Sequence, residues 1–70
     1  MENLKQVILE RIKEKKDGGE TPSKLLISLN IFMELAMFPS FIHNEETKMN
    51  SIYNLDIYMS SSEEDYVEVI

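Results

Sequence analysis

Residues 25–42, LLISLNIFMELAMFPSFI, form the longest apolar run of the chain and carry one charged side chain, Glu34. Burying a leucine- or phenylalanine-sized side chain is worth about 1.5–3 kcal/mol, so the remaining segments must fold onto this run. Pro39 ends any helix within it, because proline lacks a backbone donor and restricts the residue before it. Two readings of the part before Pro39 are open. In one, Thr21 caps, Pro22 takes the first helical position and a single buried helix reaches Phe38. In the other, residues 24–28 make a short buried strand and a second helix starts near Asn30. The second is favoured, because one helix here would be hydrophobic all round in a chain too small to surround it, and Ser28 and Asn30 are both good caps.

Upstream, Leu4, Val7, Ile8 and Ile12 recur at helical spacing, with Leu9 widening the stripe, and predict an amphipathic helix through Lys16. Asn3 is its N-cap, Glu2 lies beside the positive end of its dipole, and Lys13, Lys15 and Lys16 suit its last turn. Gly18 and Gly19 supply the stop. Downstream, residues 43–50 are polar and read as a loop. Tyr53, Leu55, Ile57 and Met59 then alternate with Asn54, Asp56 and Tyr58, the period of a half-buried strand. After the polar turn of residues 60–64, Val67 and Val69 alternate with Tyr66, Glu68 and Ile70, so the last two strands are expected to form an antiparallel hairpin.

The expected fold is therefore α+β, two helices packed on a small three-stranded sheet, in the order helix, strand, helix, strand, strand. Ile31, Phe32, Met33, Leu35, Met37 and Phe38 load the second helix with more apolar surface than one covering helix easily hides. A homodimer would bury the excess, whereas a monomer requires the first helix to cover it all.

Length and charge narrow the classes. A chain of 70 residues makes one domain at most, spanning residues 1–70, with a marginal core. It has no cysteine, which excludes a disulfide scaffold, a thiolate zinc site and a thiol nucleophile. Charges interleave with the apolar residues of the N-terminal segment, unlike a signal peptide, and Glu34, Asn30 and Pro39 argue against a membrane span, so a cytoplasmic protein of a bacterial host cell is expected. Net charge is −6 but uneven: residues 1–24 hold six basic and five acidic side chains, and residues 25–70 hold one basic, Lys48, and eight acidic. That acidic part should repel nucleic acid and membrane phosphates and attract a basic protein surface.

No residue set carries catalysis, a cofactor or a metal. His43 is the only histidine, and with Glu45 and Glu46 it matches no recurrent ligand spacing. Gly18 and Gly19 lack the lysine and serine of a phosphate loop. What remains is recognition by charge through Glu45, Glu46, Asp56, Glu63, Glu64, Asp65 and Glu68. DNA carries one negative charge per about 1.7 Å of axis, and alternate strand residues lie about 6.6 Å apart, so carboxylates spaced along a strand offer a protein imitation of it. A solvated face that keeps a sheet edge from aggregating uses the same residues.

The cysteine-free chain, its lysine-, isoleucine- and asparagine-rich vocabulary and its ending SSSEEDYVEVI resemble the small acidic early proteins of bacteriophages used for host takeover, and more narrowly the phage DNA mimics that bind the nucleoid protein HU. The resemblance implies a stoichiometric inhibitor, not an enzyme, whose partner is a basic DNA-binding host protein. The alternative is a phage structural or assembly module, to whose strand, helix and hairpin pieces PSKLLISLNIFMEL, NLDIYMS and YVEVI are similar. Such a module would bind through its apolar helix and hairpin edge.

Overall fold

The computed structural model describes residues 3–61 and 64–70. The chain runs α1 (Leu4–Asp17), β1 (Lys24–Ile27), α2 (Leu29–Leu35), β2 (Ile42–His43), β3 (Asn50–Ile52), β4 (Leu55–Met59) and β5 (Val67–Val69). The strands make one five-stranded mixed sheet in the order β2-β3-β4-β1-β5. This corrects the three-stranded sheet and its helix, strand, helix, strand, strand order.

Two features explain the correction. The polar segment after Phe41 is a hairpin: β2 and β3 pair antiparallel, Ile42 with Ser51 and His43 with Asn50. At two and three residues these strands are too short to show a period of two. Their connector is held locally, with the Asn44 side chain accepting from the backbone N–H of Glu46 at 2.9 Å and of Thr47 at 3.1 Å, an Asx turn. Second, β4 and β5 do not pair with each other. β1 lies between them, parallel to β4 with Lys24 opposite Asp56 and Leu25 opposite Ile57, and antiparallel to β5 with Leu25 opposite Val69. Parallel neighbours need a crossover, which α2 and the β2–β3 hairpin provide. β1 takes the interior place because Leu25 and Ile27 are fully buried.

Tyr53 and Asn54 belong to a turn, not to a strand. Both have positive φ, 50° and 64°, and they join antiparallel β3 to β4 in the left-handed geometry that matches the twist of a two-residue hairpin. Asparagine tolerates that geometry well, and Tyr53 is retained there while packing against the core.

The helices follow the sequence more closely. Leu4, Ile8 and Ile12 of α1 are buried, whereas Leu9 is exposed. The Asn3 side chain accepts from the Gln6 N–H at 3.2 Å, the expected N-cap. At the other end Gly19 has φ 84°, and the N–H groups of Gly19 and Glu20 donate to the carbonyls of Lys16 and Lys15, a Schellman ending that favours glycine. The single-helix reading of residues 22–38 is overturned, since β1 ends at Ile27 and α2 starts after Ser28, its N-cap. The Ser28 side chain does not cap α2; its Oγ accepts from the Tyr66 N–H at 3.1 Å instead. Among the described residues no helix is long and apolar enough to cross a membrane.

Both helices contribute to one core. Leu4, Ile8, Ile12, Ile31 and Leu35 join Leu25, Ile27, Ile52, Leu55, Ile57 and Val69 in a single cluster. Phe32 and Phe41 close its end edge to face, with centroids 5.8 Å apart. Truncating Ile27 to alanine in the middle of this cluster is expected to cost about 2–5 kcal/mol, measured by urea unfolding, whereas Leu9→Ala on the exposed side of α1 should change stability by less than about 0.5 kcal/mol.

Candidate functional site

Strand registry decides where each carboxylate goes. Side chains alternate across a sheet, so the buried Leu25, Ile27, Leu55, Ile57 and Val69 place Lys24, Leu26, Asp56, Tyr58 and Glu68 on the opposite, open face. On that face Lys24 sits opposite Asp56 in register, and its Nζ lies 5.6 Å from the Tyr58 ring centroid, within reach of a cation–π contact. Asp56 and Glu68 are therefore not neighbours on one hairpin. β1 separates them, and Lys24 and Leu26 interrupt the negative charge between them.

Glu45 and Glu46 lie in the β2–β3 connector, at the far end of the sheet from β5. Four strand spacings of about 4.8 Å put the two edges about 19 Å apart. Glu45 is partly neutralised in place by Lys48, whose Nζ is 3.2 Å from its carboxylate, and His43 Nε2 lies 3.8 Å from the same carboxylate. His43 Nδ1 is 2.6 Å from the Asn50 side-chain oxygen, so the histidine serves the hairpin.

At the β5 edge, Glu64, Asp65 and Glu68 follow one another along the chain, all exposed. Glu63, expected in the same group, lies outside the described residues. Glu68 accepts a hydrogen bond from the Tyr66 hydroxyl at 2.9 Å. That bond first, with partial desolvation and the carboxylate charge acting in the same direction, holds the Tyr66 phenol above the usual tyrosine range.

β5 also borders a concavity that no single stretch of sequence displays. An open groove of about 480 Å³ runs between residues 66–69 and the side of α1 that carries Arg11, Glu14 and Lys15. Glu20 also lines it, its carboxylate 3.3 Å from Lys15 Nζ. Positions 11, 14 and 15 fall on one helical face beside the buried stripe, a signal present in the sequence, but their facing strand begins more than fifty residues later. A second surface lies on α2 and the turn that follows it, where Leu29 and Met33 of the helix and Met37 of the turn are 59 %, 62 % and 86 % exposed.

Replacing Glu68 with glutamine should lower the Tyr66 pKa, read as an earlier rise of its phenolate signal in an NMR or ultraviolet pH titration. Because the folded phenol holds its proton more tightly than the unfolded one, the stability this contact supplies is present below the ordinary tyrosine pKa and is lost as pH rises through the folded value. The variant should flatten that alkaline loss.

Protein-family models, curated proteins and solved structures were compared with the chain, and none of them matches it.

Proposed function

We propose that the chain is a stoichiometric binding protein that uses its acidic surface to occupy the basic surface of a DNA-binding protein, the nucleoid protein HU being the named case. The observation that carries the reading is the run of exposed carboxylates formed by Glu68 on the edge strand β5 and Glu64 and Asp65 in the segment that leads into it, next to an open face that also bears Asp56. Exposed carboxylates on a strand and its approach offer anchored negative charge to lysine and arginine, and long-range attraction speeds encounter with such a partner. Lys24, between Asp56 and Glu68 on the open face, favours a centre of action at the β5 edge rather than across the whole sheet. Glu45 and Glu46, at the opposite edge, then serve to set overall charge.

A second reading, an assembly module, draws on the exposed Leu29 and Met33 of α2 and Met37 in the turn after it. Methionine-rich surfaces adapt to partners, and contiguous exposed apolar side chains often mark interfaces. A homodimer formed through this stripe belongs to the same reading.

Salt separates the two. In a gel shift with purified HU and DNA, the protein should release DNA from HU, and the effect should weaken steeply between about 50 and 200 mM salt. Reversing Glu64, Asp65 and Glu68 together to lysine should abolish release while leaving the circular dichroism spectrum unchanged. If HU keeps its DNA at every protein ratio, the mimic reading fails. Self-association that persists in high salt and disappears in Met33→Ser/Met37→Ser would support the assembly reading in its place.

A further inference from the structure

We infer that the free edge of β5 is a strand-addition site for an extended basic segment, in which lysine or arginine alternates with apolar residues. The inference rests on the acidic-binding reading above and specifies which part of a partner the edge takes. Three observations converge on it.

The first is the direction of the backbone groups. Lys24 and Ile70 exchange N–H···O bonds at 3.1 and 3.0 Å, and Ser28 N–H donates to the Tyr66 carbonyl at 3.1 Å. In an antiparallel ladder the bonding direction alternates residue by residue, so Tyr66, Glu68 and Ile70 face β1. Val67 and Val69 turn their N–H and C=O groups outward. β5 ends the strand order, and among the described residues nothing pairs with that outer side. Such an edge is a template for another strand.

The second is the groove. Its volume of about 480 Å³ lies in the range of ligand sites. It is bounded by the β5 edge on one side and by Arg11, Glu14 and Lys15 of α1 on the other. A peptide that lies between an edge strand and a helix, bonding the strand by its main chain, is a recurrent mode of recognition.

The third is the chemistry of the two faces that an added strand would meet. Cross-strand neighbours share a face. Peptide residues opposite Val67 and Val69 would face the α1 side of the groove, against two valines and the aliphatic stems of Arg11 and Lys15, which suits small or β-branched apolar side chains. Residues opposite Tyr66 and Glu68 would project on the open face. There the Glu68 carboxylate attracts one cation, and the Tyr66 ring offers its face to another two residues away. Asp65, at the entrance to the strand, adds to the same field; on the α1 side Lys15 is already 3.3 Å from Glu20, and Arg11 opposes the field but is outnumbered by Glu14, Glu20 and Glu68 of the same lining.

The same chemistry disfavours a second copy of this chain. The antiparallel register in which Val67 and Val69 of one copy bond Val69 and Val67 of the other sets the two Glu68 side chains directly opposite each other, a destabilising like-charge pair. Each copy also carries a net charge of −6.

The test uses synthetic peptides of about eight residues. The first alternates lysine and valine. The second has the same composition with all lysines in one block and all valines in another. In the third and fourth, backbone N-methyl groups are placed on the valines or on the lysines of the alternating peptide, which leaves charge unchanged. In an antiparallel addition the valines exchange bonds with Val67 and Val69, so methylating the valines should remove binding and methylating the lysines should spare it. The alternating peptide should bind about tenfold or more tightly than the blocked one, and it should slow amide hydrogen exchange at Val67 and Val69. Val67→Pro removes one outward donor without touching the β1 ladder and should weaken binding, with the N-methyl pair as the control that needs no change in the protein. Equal binding of alternating and blocked peptides, indifferent to valine methylation, overturns strand addition while leaving charge-driven binding in place. Failure of every peptide overturns it too, and the HU competition then judges the broader reading on its own. Protection of Val67 and Val69 that grows with protein concentration without peptide assigns the edge to a second copy and overturns the inference.

Discussion

The ladder between β1 and its two neighbours is the interaction on which the rest of the structure depends. Leu25 and Ile27 are fully buried, and β1 bonds β4 on one side and β5 on the other. The core is built outward from these two residues: α1 reaches it through Leu4, Ile8 and Ile12, and α2 through Ile31 and Leu35. Ser28 then joins the layers. It receives the Tyr66 N–H on its side chain, donates its own N–H to the Tyr66 carbonyl, and accepts the Phe32 N–H on its carbonyl, all at 3.0–3.1 Å. A buried polar residue is tolerated where each of its groups is bonded, and Ser28 meets that condition while turning the chain from strand into helix.

Where the carboxylates sit follows from the place of β1 between β4 and β5. Because β1 lies between β4 and β5, β5 takes the rim and carries Glu68 with it, while Asp56 stays on the inner side of Lys24. A hairpin of β4 and β5 would have set Asp56 and Glu68 on neighbouring strands. The intervening strand concentrates the negative charge at one edge, and the groove beside α1 lies along that edge.

Local signals made much of this legible in the sequence. The Leu4, Ile8, Ile12 stripe, the Asn3 cap and the Gly18–Gly19 stop define α1 within a residue or so. Ser28 and the short LLI run separate β1 from α2, and the Leu55/Ile57 alternation marks β4. The hairpin around Asn44 escaped because a two-residue strand has no periodicity and its connector owes its shape to one side chain bonding its own backbone. The pairing order escaped for a different reason. Whether β5 joins β4 or β1 is a competition between long-range partners, and alternation along a strand reports which face is buried, not which neighbour it meets. The exposure of the carboxylates could be read from their polarity, but the groove could not, since it arises only when residues 11–15 and 66–69 are brought side by side.

The placing of β1 also bears on how the chain reaches its native state. Lys24 pairs with Asp56, thirty-two residues later, and Leu25 with Val69, forty-four residues later, so the most buried strand is made early and completed last. Loop closure must precede those contacts, and topologies dominated by such distant pairs fold slowly for their size. Until residues 67–69 arrive, β1 exposes a hydrophobic edge of its own, and the carboxylates that precede β5 travel with the segment that finally covers it. Their like-charge repulsion between chains acts during this interval, so the acidic approach to β5 guards the folding chain against self-pairing as well as shaping the finished edge.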